Sequence, residues 1–279
     1  MQKFAVIGYP LTHSLSPQIH NFAFKKLKID AVYEKIEIAP ENFGESVVQL
    51  KSAGYSGLNI TIPHKLNIRS FLDEIDSDAK TIGAVNTVVI NEGKWIGYNT
   101  DVHGFLSPIM DLKNRINHCL VLGTGGAARA VIFTLAKYLD PRSVTIVGRN
   151  PEKAVNLCKE LGSLFKLIRF DNSTFTDVKS DLSGIDLLVN STPLGTFPNT
   201  NQTPLPSLNE LPEQSIVYDL VYNPLETKFL KDAGKLGKDI YLINGMEMLL
   251  QQAAAAFKLW TGQDMSVPDV REYILNLKS

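Results

Sequence analysis

The chain has 279 residues and carries 28 Lys plus Arg against 29 Asp plus Glu, a formal net charge of −1. That balance excludes a nucleic-acid binder relying on overall positive charge, and an acidic-tail protein. A hydrophobic fraction of 44% with 20% charged residues excludes a disordered chain, and the length suits one large domain or two ordinary ones.

An apolar run at residues 4–7 reads as a buried strand ending at Gly8. Ser16 and Pro17 mark a helix start, with Ser as cap and Pro at the first helical position. Ile19, Phe22, Ala23 and Leu27 follow at helical spacing. Residues 32–38 alternate like a strand, and Pro40 opens a helix running to residues 53–54. Residues 57–62 form a strand, and Pro63 begins the next helix. Residues 85–90 and 94–98 make a hairpin joined at Asn91, Glu92 and Gly93. The alternation then resumes more cleanly. Strands are expected at 118–122, 143–147, 185–189 and 216–218, and helices at 126–139 and from Pro151. Residues 193–212 read as a long loop, and helices at 245–260 and 267–277 close the chain. Strands separated by helices imply an α/β fold with a parallel sheet.

Two cysteines, Cys119 and Cys158, cannot build a disulfide framework. The first apolar run is too short for a signal peptide, and no stretch approaches the roughly 18–20 apolar residues of a membrane span. A reducing, cytoplasmic compartment is expected, with no membrane and no nucleic acid as partner. The histidines, His13, His20, His64, His103 and His118, form no metal-like pair, so no metal is expected.

Gly123-Thr124-Gly125-Gly126-Ala127-Ala128 follows an apolar strand and opens a helix. It satisfies the dinucleotide pattern at Gly123, Gly125 and Ala128: a tight turn, close approach to a pyrophosphate, and helix–strand packing. The next strand ends Val147-Gly148-Arg149-Asn150, without the carboxylate that holds the ribose 2′-OH of NAD. Arg149 sits where a 2′-phosphate would lie, and Lys153 follows in the first helical turn. This favours NADP. The bland alternative for Arg149 is a solvated surface arginine.

Polar groups cluster at loop ends in the first half: Ser14 and Ser16; Asn59, Thr61, His64 and Lys65; Asn86 and Thr87; Asn99, Thr100 and Asp101. Singly, Ser16 and Thr100 read as helix caps. As a collection they suit a small polyhydroxylated, carboxylated ligand.

The motifs Ser14-Leu15-Ser16-Pro17, Asn59-Ile60-Thr61-Ile62-Pro63-His64-Lys65, Gly83-Ala84-Val85-Asn86-Thr87 and Gly97-Tyr98-Asn99-Thr100-Asp101 resemble the shikimate dehydrogenase family. The glycine turn, Asn190-Ser191-Thr192-Pro193-Leu194-Gly195, Asp219-Leu220-Val221-Tyr222-Asn223-Pro224 and the segment from Gly245 to Ala254 extend the resemblance over nearly the whole chain. It implies reversible NADPH-linked reduction of 3-dehydroshikimate to shikimate, a step of aromatic amino-acid biosynthesis. It implies Lys65 as catalytic acid or base, paired with Asp101, which also meets a ring hydroxyl. Ser14, Ser16, Thr61, Asn86, Tyr222 and Gln252 would bind substrate, with Asn59 lining the same cleft. NADP would contact Gly123, Thr124, Gly125, Gly126, Ala127, Ala128, Arg149, Asn150 and Lys153, with Thr192, Leu220 and Gly245 nearer the nicotinamide.

The implied architecture has an α/β substrate domain, residues 1–102 completed by 244–279, and a Rossmann-type doubly wound NADP domain, residues 103–243. The C-terminal helices return to the substrate domain. A homodimer is one assembly left open. Two positions depart from the usual pattern: Thr124 stands where Ala is common, and Gly148-Arg149-Asn150 where Asn-Arg-Thr is frequent. The polar groups lost beside Arg149 would weaken 2′-phosphate binding. His64 is the rival proton donor. On a helix from Pro63, neighbouring side chains point about 100° apart, so His64 and Lys65 cannot share a cleft, and Lys65 is preferred. The other readings are a quinate/shikimate dehydrogenase of the same fold, against which the small Ser16 argues, and a non-catalytic NADP-binding regulator, against which Lys65 and Asp101 argue.

Overall fold

Strand β1 (Gln2–Gly8) buries the five residues Phe4, Ala5, Val6, Ile7 and Gly8, as a run apolar on both faces must. It starts a computed structural model that describes residues 1–180 and 182–277. The chain divides into two units, Met1–Gly104 with Leu250–Ser279, and Phe105–Leu249.

In the first unit β1 is followed by α1 (Ser16–Lys26), β2 (Ala31–Glu37), α2 (Phe43–Lys51), β3 (Gly57–Ile60), β4 (Glu74–Ile75), α3 (Ser77–Ile82), β5 (Thr87–Asn91) and β6 (Lys94–Tyr98). Helix α4 (Asp101–Leu106) runs across the boundary. The sheet order is β2-β1-β3-β5-β6-β4. β1 pairs in parallel with β2 and β3, while β3–β5 and β5–β6 are antiparallel. One face packs Ala5, Ile7, Leu58, Ile60 and Trp95 against Phe43, Val47 and Leu50. The other carries aromatic rings: Phe4 lies 5.2 Å from Phe24 and 5.0 Å from Trp260. Trp260 donates to the Val88 carbonyl at 3.0 Å, and it reaches there only because residue 57 is glycine. A Cβ at Gly57 would lie 2.2 Å from the indole nitrogen.

The second unit holds β7 (His118–Leu122), α5 (Gly126–Thr134), β8 (Ser143–Val147), α6 (Pro151–Leu164), β9 (Arg169–Ser173), β10 (Leu187–Asn190), β11 (Ile216–Asp219), α7 (Lys228–Gly234) and β12 (Tyr241–Ile243). Helix α8 (Gly245–Thr261) crosses the second boundary, and α9 (Val267–Asn276) ends the chain. All strands here are parallel, in the order β12-β11-β10-β7-β8-β9. Read from the other edge this is the 3-2-1-4-5-6 order of the Rossmann fold, reversing between β7 and β10. Alternate residues of β7 face opposite layers. Cys119 and Val121 meet α5 and α6, whereas Leu120 and Leu122 meet Phe229 and Leu230 of α7. Leu205, Leu208 and Leu211, in the expected long loop, complete that second layer.

Three local expectations are corrected. No helix starts at Pro63: residues 62–66 are turn, followed by a 3₁₀ helix at Asn67–Phe71. The Lys65 carbonyl, which a helix would use internally, accepts from Val85 N at 2.8 Å. Ser16 does not cap α1; Leu15 holds the cap position without a side-chain bond. The helix expected to run to residue 139 passes at Leu135 into a π-helical turn, Leu135–Leu139.

Candidate active site

The ends of β3, β5 and β6 and the start of α4 bring polar side chains together within the first unit. Lys65 Nζ lies 2.6 Å from Asp101 Oδ2, with the two side chains 14% and 6% exposed. Asp101 is the first residue of α4, where the helix dipole favours a carboxylate. Its other oxygen accepts from Asn86 Nδ2 at 2.8 Å. The Asn86 amide has one permitted orientation, because Thr100 N donates to its Oδ1 at 2.8 Å. Its Nδ2 also reaches Thr100 Oγ1 at 3.0 Å and Gln252 Oε1 at 3.5 Å. The Thr100 hydroxyl therefore serves this network rather than capping α4 through its side chain. Both ends of the carboxylate are fixed, and Lys65 is left with two further N–H donors, enough to address a substrate oxygen.

His64 is turned the other way. It is fully buried, stacked on Phe43 at 4.1 Å, with Nε2 2.6 Å from the Ile38 carbonyl. A carbonyl only accepts, so Nε2 carries the proton and is committed to the core. Lys65 and His64 do diverge, but in a turn and not on a helix.

Ser14 and Ser16 lie together, their hydroxyl oxygens 3.3 Å apart, and Thr61 is half-buried with its N–H bonded to the Ile7 carbonyl. Asn59 is buried. Its amide donates to the Asn86 carbonyl at 3.2 Å and Thr87 Oγ1 at 3.1 Å, and its oxygen accepts from Tyr33 at 2.7 Å. Both amide protons are thus taken by protein acceptors, so Asn59 supports Asn86 from behind.

The second unit carries the dinucleotide residues. Gly123 has φ +124°, and a Cβ there would lie 2.4 Å from Ser191 Oγ, on the loop after β10. A Cβ at Gly125 would meet nothing within 4 Å, the open space a pyrophosphate requires. Gly126 and Ala127 begin α5, which has neither a capping side chain nor an acid in its first turn, while Ala128 is fully buried. Those N–H groups suit an anion. Arg149 and Lys153 are exposed after β8. Asn150 caps α6, accepting from Lys153 N at 3.3 Å. The two departures noted above are sterically coupled: a Cβ at Gly148 would lie 2.8 Å from Thr124 Cγ2, so the threonine methyl fills the space beside β8 that a side chain at 148 would use. These features fit NADP. Among the described residues, no cluster of His, Cys, Asp or Glu is placed to hold a metal ion.

Thr192 gives both its N–H and its hydroxyl to Asn190 Oδ1, at 3.0 and 2.7 Å. A Cβ at Gly245 would lie 2.1 Å from the Leu220 carbonyl oxygen, so only glycine lets α8 start beside that loop. Tyr222 belongs to this unit, and burial raises its phenol above the ordinary value. Asp219, which the sequence marked only as the first residue of the motif at 219–224 and gave no role, organises this end of the sheet. It accepts from Asn190 Nδ2 at 2.9 Å, Val221 N at 3.0 Å and Thr227 Oγ1 at 2.6 Å. Beyond that motif, its signal was an acid ending an apolar strand.

Residues 6–88 match the family model for the shikimate dehydrogenase substrate binding domain, and residues 245–274 match that for the shikimate 5′-dehydrogenase C-terminal domain. The chain is 41% identical to the NADP(+) shikimate dehydrogenase of Methanocaldococcus jannaschii, over 97% of this chain and 95% of the relative. A shikimate dehydrogenase crystal structure in complex with NADP+ superposes with a TM-score of 0.88 at 39% identity, covering 100% of this chain and 96% of the other. The shikimate 5-dehydrogenase of Thermus thermophilus, in complex with NADP(H) and shikimate, gives 0.84 at 35% identity over 98% of each chain. With such similarity over nearly the full length, the chain belongs to the shikimate dehydrogenase family.

Proposed function

We infer that this chain is an NADP-dependent shikimate dehydrogenase, reversibly reducing 3-dehydroshikimate to shikimate in aromatic amino-acid biosynthesis. The observation that carries the chemistry is the Lys65–Asp101 pair, locked by Asn86. We assign substrate binding to Ser14, Ser16, Thr61, Asn86, Asp101, Tyr222 and Gln252. The second unit binds the cofactor through Gly123–Ala128, Arg149 and Lys153, with Thr192, Leu220 and Gly245 toward the nicotinamide.

When bound, NADPH supplies the hydride. The protein's task is the proton. Lys65 Nζ donates a hydrogen bond to the substrate carbonyl and delivers its proton as negative charge develops on that oxygen. In the oxidation direction the same nitrogen takes the proton back. Asp101 holds the ammonium in place, and Asn86 holds Asp101. Cytoplasmic placement belongs to the same proposal, supported by two buried free thiols, Cys119 and Cys158.

Absorbance at 340 nm tests the reading directly. NADP reduction with shikimate is expected, with quinate and NAD each giving a lower kcat/KM. A higher kcat/KM with quinate would reassign the substrate, and NADPH binding without any turnover would leave a regulator. Arg149→Ala is expected to raise the KM for NADP roughly 10- to 100-fold while barely changing that for NAD, since a guanidinium–phosphate contact is charge-assisted. Equal effects on the two cofactors would remove Arg149 from the 2′-phosphate site.

A further inference from the structure

Tyr33, on β2, is 2% exposed and has no part in the chemistry above. Its phenol donates to Asn59 Oδ1 at 2.7 Å, and the sense of that bond is fixed. Asn59 must turn its NH2 toward β5, because one of its partners there is the Asn86 backbone carbonyl. Thr87 Oγ1 accepts from Asn59, and its one proton has two acceptors, Asn86 Oδ1 at 3.0 Å and Thr100 Oγ1 at 3.1 Å, the latter itself bonded to Asn86. Asn86 Nδ2 then faces Asp101 Oδ1, whose other oxygen holds Lys65. Tyr33, Asn59 and Asn86 therefore donate in one direction, toward the carboxylate that anchors the lysine, with the Thr87 hydroxyl joining Asn59 to Asn86.

We propose that Tyr33 is a positioning residue for Asn86, setting the substrate-binding face of β5 through Asn59 and Thr87, a role that rests on the dehydrogenase reading. The phenol is itself held. His20 stacks on it at 4.4 Å, and the ring of Trp260 lies 6.1 Å away. Burial lowers His20 to about 3, so it packs as a neutral ring. Burial also raises the Tyr33 phenol well above its ordinary value, with the Ser16 hydroxyl as its other side-chain partner, so it stays protonated and able to donate. Without the phenol, Asn59 Oδ1 loses its 2.7 Å donor and keeps only the His20 ring, the one other side chain that hydrogen-bonds it. The amide then turns to find another donor and releases Thr87 and the Asn86 carbonyl. The same phenol links Ser16 to Asn86, two residues assigned to the substrate.

The test is Tyr33→Phe, which keeps the ring, alongside Thr87→Val and Thr87→Ser. Steady-state kinetics with shikimate and NADP, an NADPH titration by fluorescence and a thermal melt are recorded for each. Tyr33→Phe and Thr87→Val should each raise the KM for shikimate about tenfold, the equivalent of one lost hydrogen bond to an oriented group. kcat should stay within roughly threefold, because the Lys65–Asp101 contact is direct and survives. NADPH affinity should not move, and Thr87→Ser, which restores the hydroxyl, should recover the wild-type KM. A shikimate KM within roughly twofold of wild type in Tyr33→Phe and Thr87→Val, whatever the melts show, overturns the proposal. Should Tyr33→Phe not fold, the Thr87 pair decides alone. A wild-type chain that binds NADPH but does not turn over shikimate overturns the dehydrogenase reading, and this role with it.

Discussion

Lys65→Ala lowers kcat by about 10²- to 10⁴-fold, the range of a lost general acid, and leaves the affinity for NADPH unchanged. The size follows from the absence of a substitute. The nearest other proton donor in sequence, His64, has its Nε2 proton bonded to the Ile38 carbonyl and its ring stacked on Phe43. The selectivity follows from location, since Lys65 and the glycine turn belong to different units. Removing the ammonium leaves the Asp101 carboxyl, 6% exposed, without its partner. Lys65→Met, which preserves the aliphatic stem, therefore belongs beside Lys65→Ala to separate lost packing from lost chemistry. His64→Ala acts elsewhere: it removes a buried ring and a hydrogen bond, so the melting temperature falls while kcat holds. Stopped-flow and steady-state kinetics on the three variants decide the matter. The assignment is wrong if His64→Ala abolishes turnover and Lys65→Ala does not.

What could be read from the sequence was what is local. A strand, a glycine turn and the start of a helix lie within eleven residues, His118 to Ala128, and the backbone there obeys the glycines: the positive φ at Gly123 and the open face of Gly125. The missing acid after β8 is likewise a local fact. The Lys65–Asp101 pair is different. Its members are 36 positions apart and meet because β3, β5 and β6 are adjacent in the sheet. No spacing rule encodes that adjacency, so only the family resemblance brought the two together. Asn59 shows the limit of such transfer. It was expected to line the cleft, yet whether an amide faces the ligand or its neighbours depends on Tyr33 and Thr87, which lie 26 and 28 positions away. The unpredicted strands β4, β9 and β12 are edge strands, each with a single partner strand, and lack the apolar alternation that marks a half-buried strand. The helix expected at Pro63 failed because Val85 captures the Lys65 carbonyl, a tertiary contact that outweighs a local start signal.

Asp219 carries the second large effect. It is fully buried at the end of β11, and burial raises its carboxyl from 3.8 to about 6, outweighing the three donors that favour its anion. The folded state thus holds this proton more tightly than the unfolded chain. The contribution to stability is fully present below pH 4, declines as pH rises from about 4 to about 6, and is flat above that. Its size is on the order of 2–3 kcal/mol. Asp219→Asn keeps the acceptor for Asn190 and Val221 and can face Thr227 with its NH2, so it should remove this slope without unfolding the chain. Subtracting its urea stability from that of wild type between pH 4 and 7 isolates the carboxyl from every other group titrating there. A difference that stays constant with pH places the slope elsewhere. Asp219→Ala is harsher. It strands Asn190 Nδ2, Val221 N and Thr227 Oγ1 without their acceptor, at about 1–3 kcal/mol for each buried group left unpaired. The loss reaches function because Asn190 also anchors Thr192, and Val221 precedes Tyr222. NADPH affinity should therefore weaken in Asp219→Ala and not in Asp219→Asn, which separates the carboxyl's charge from its work as an acceptor.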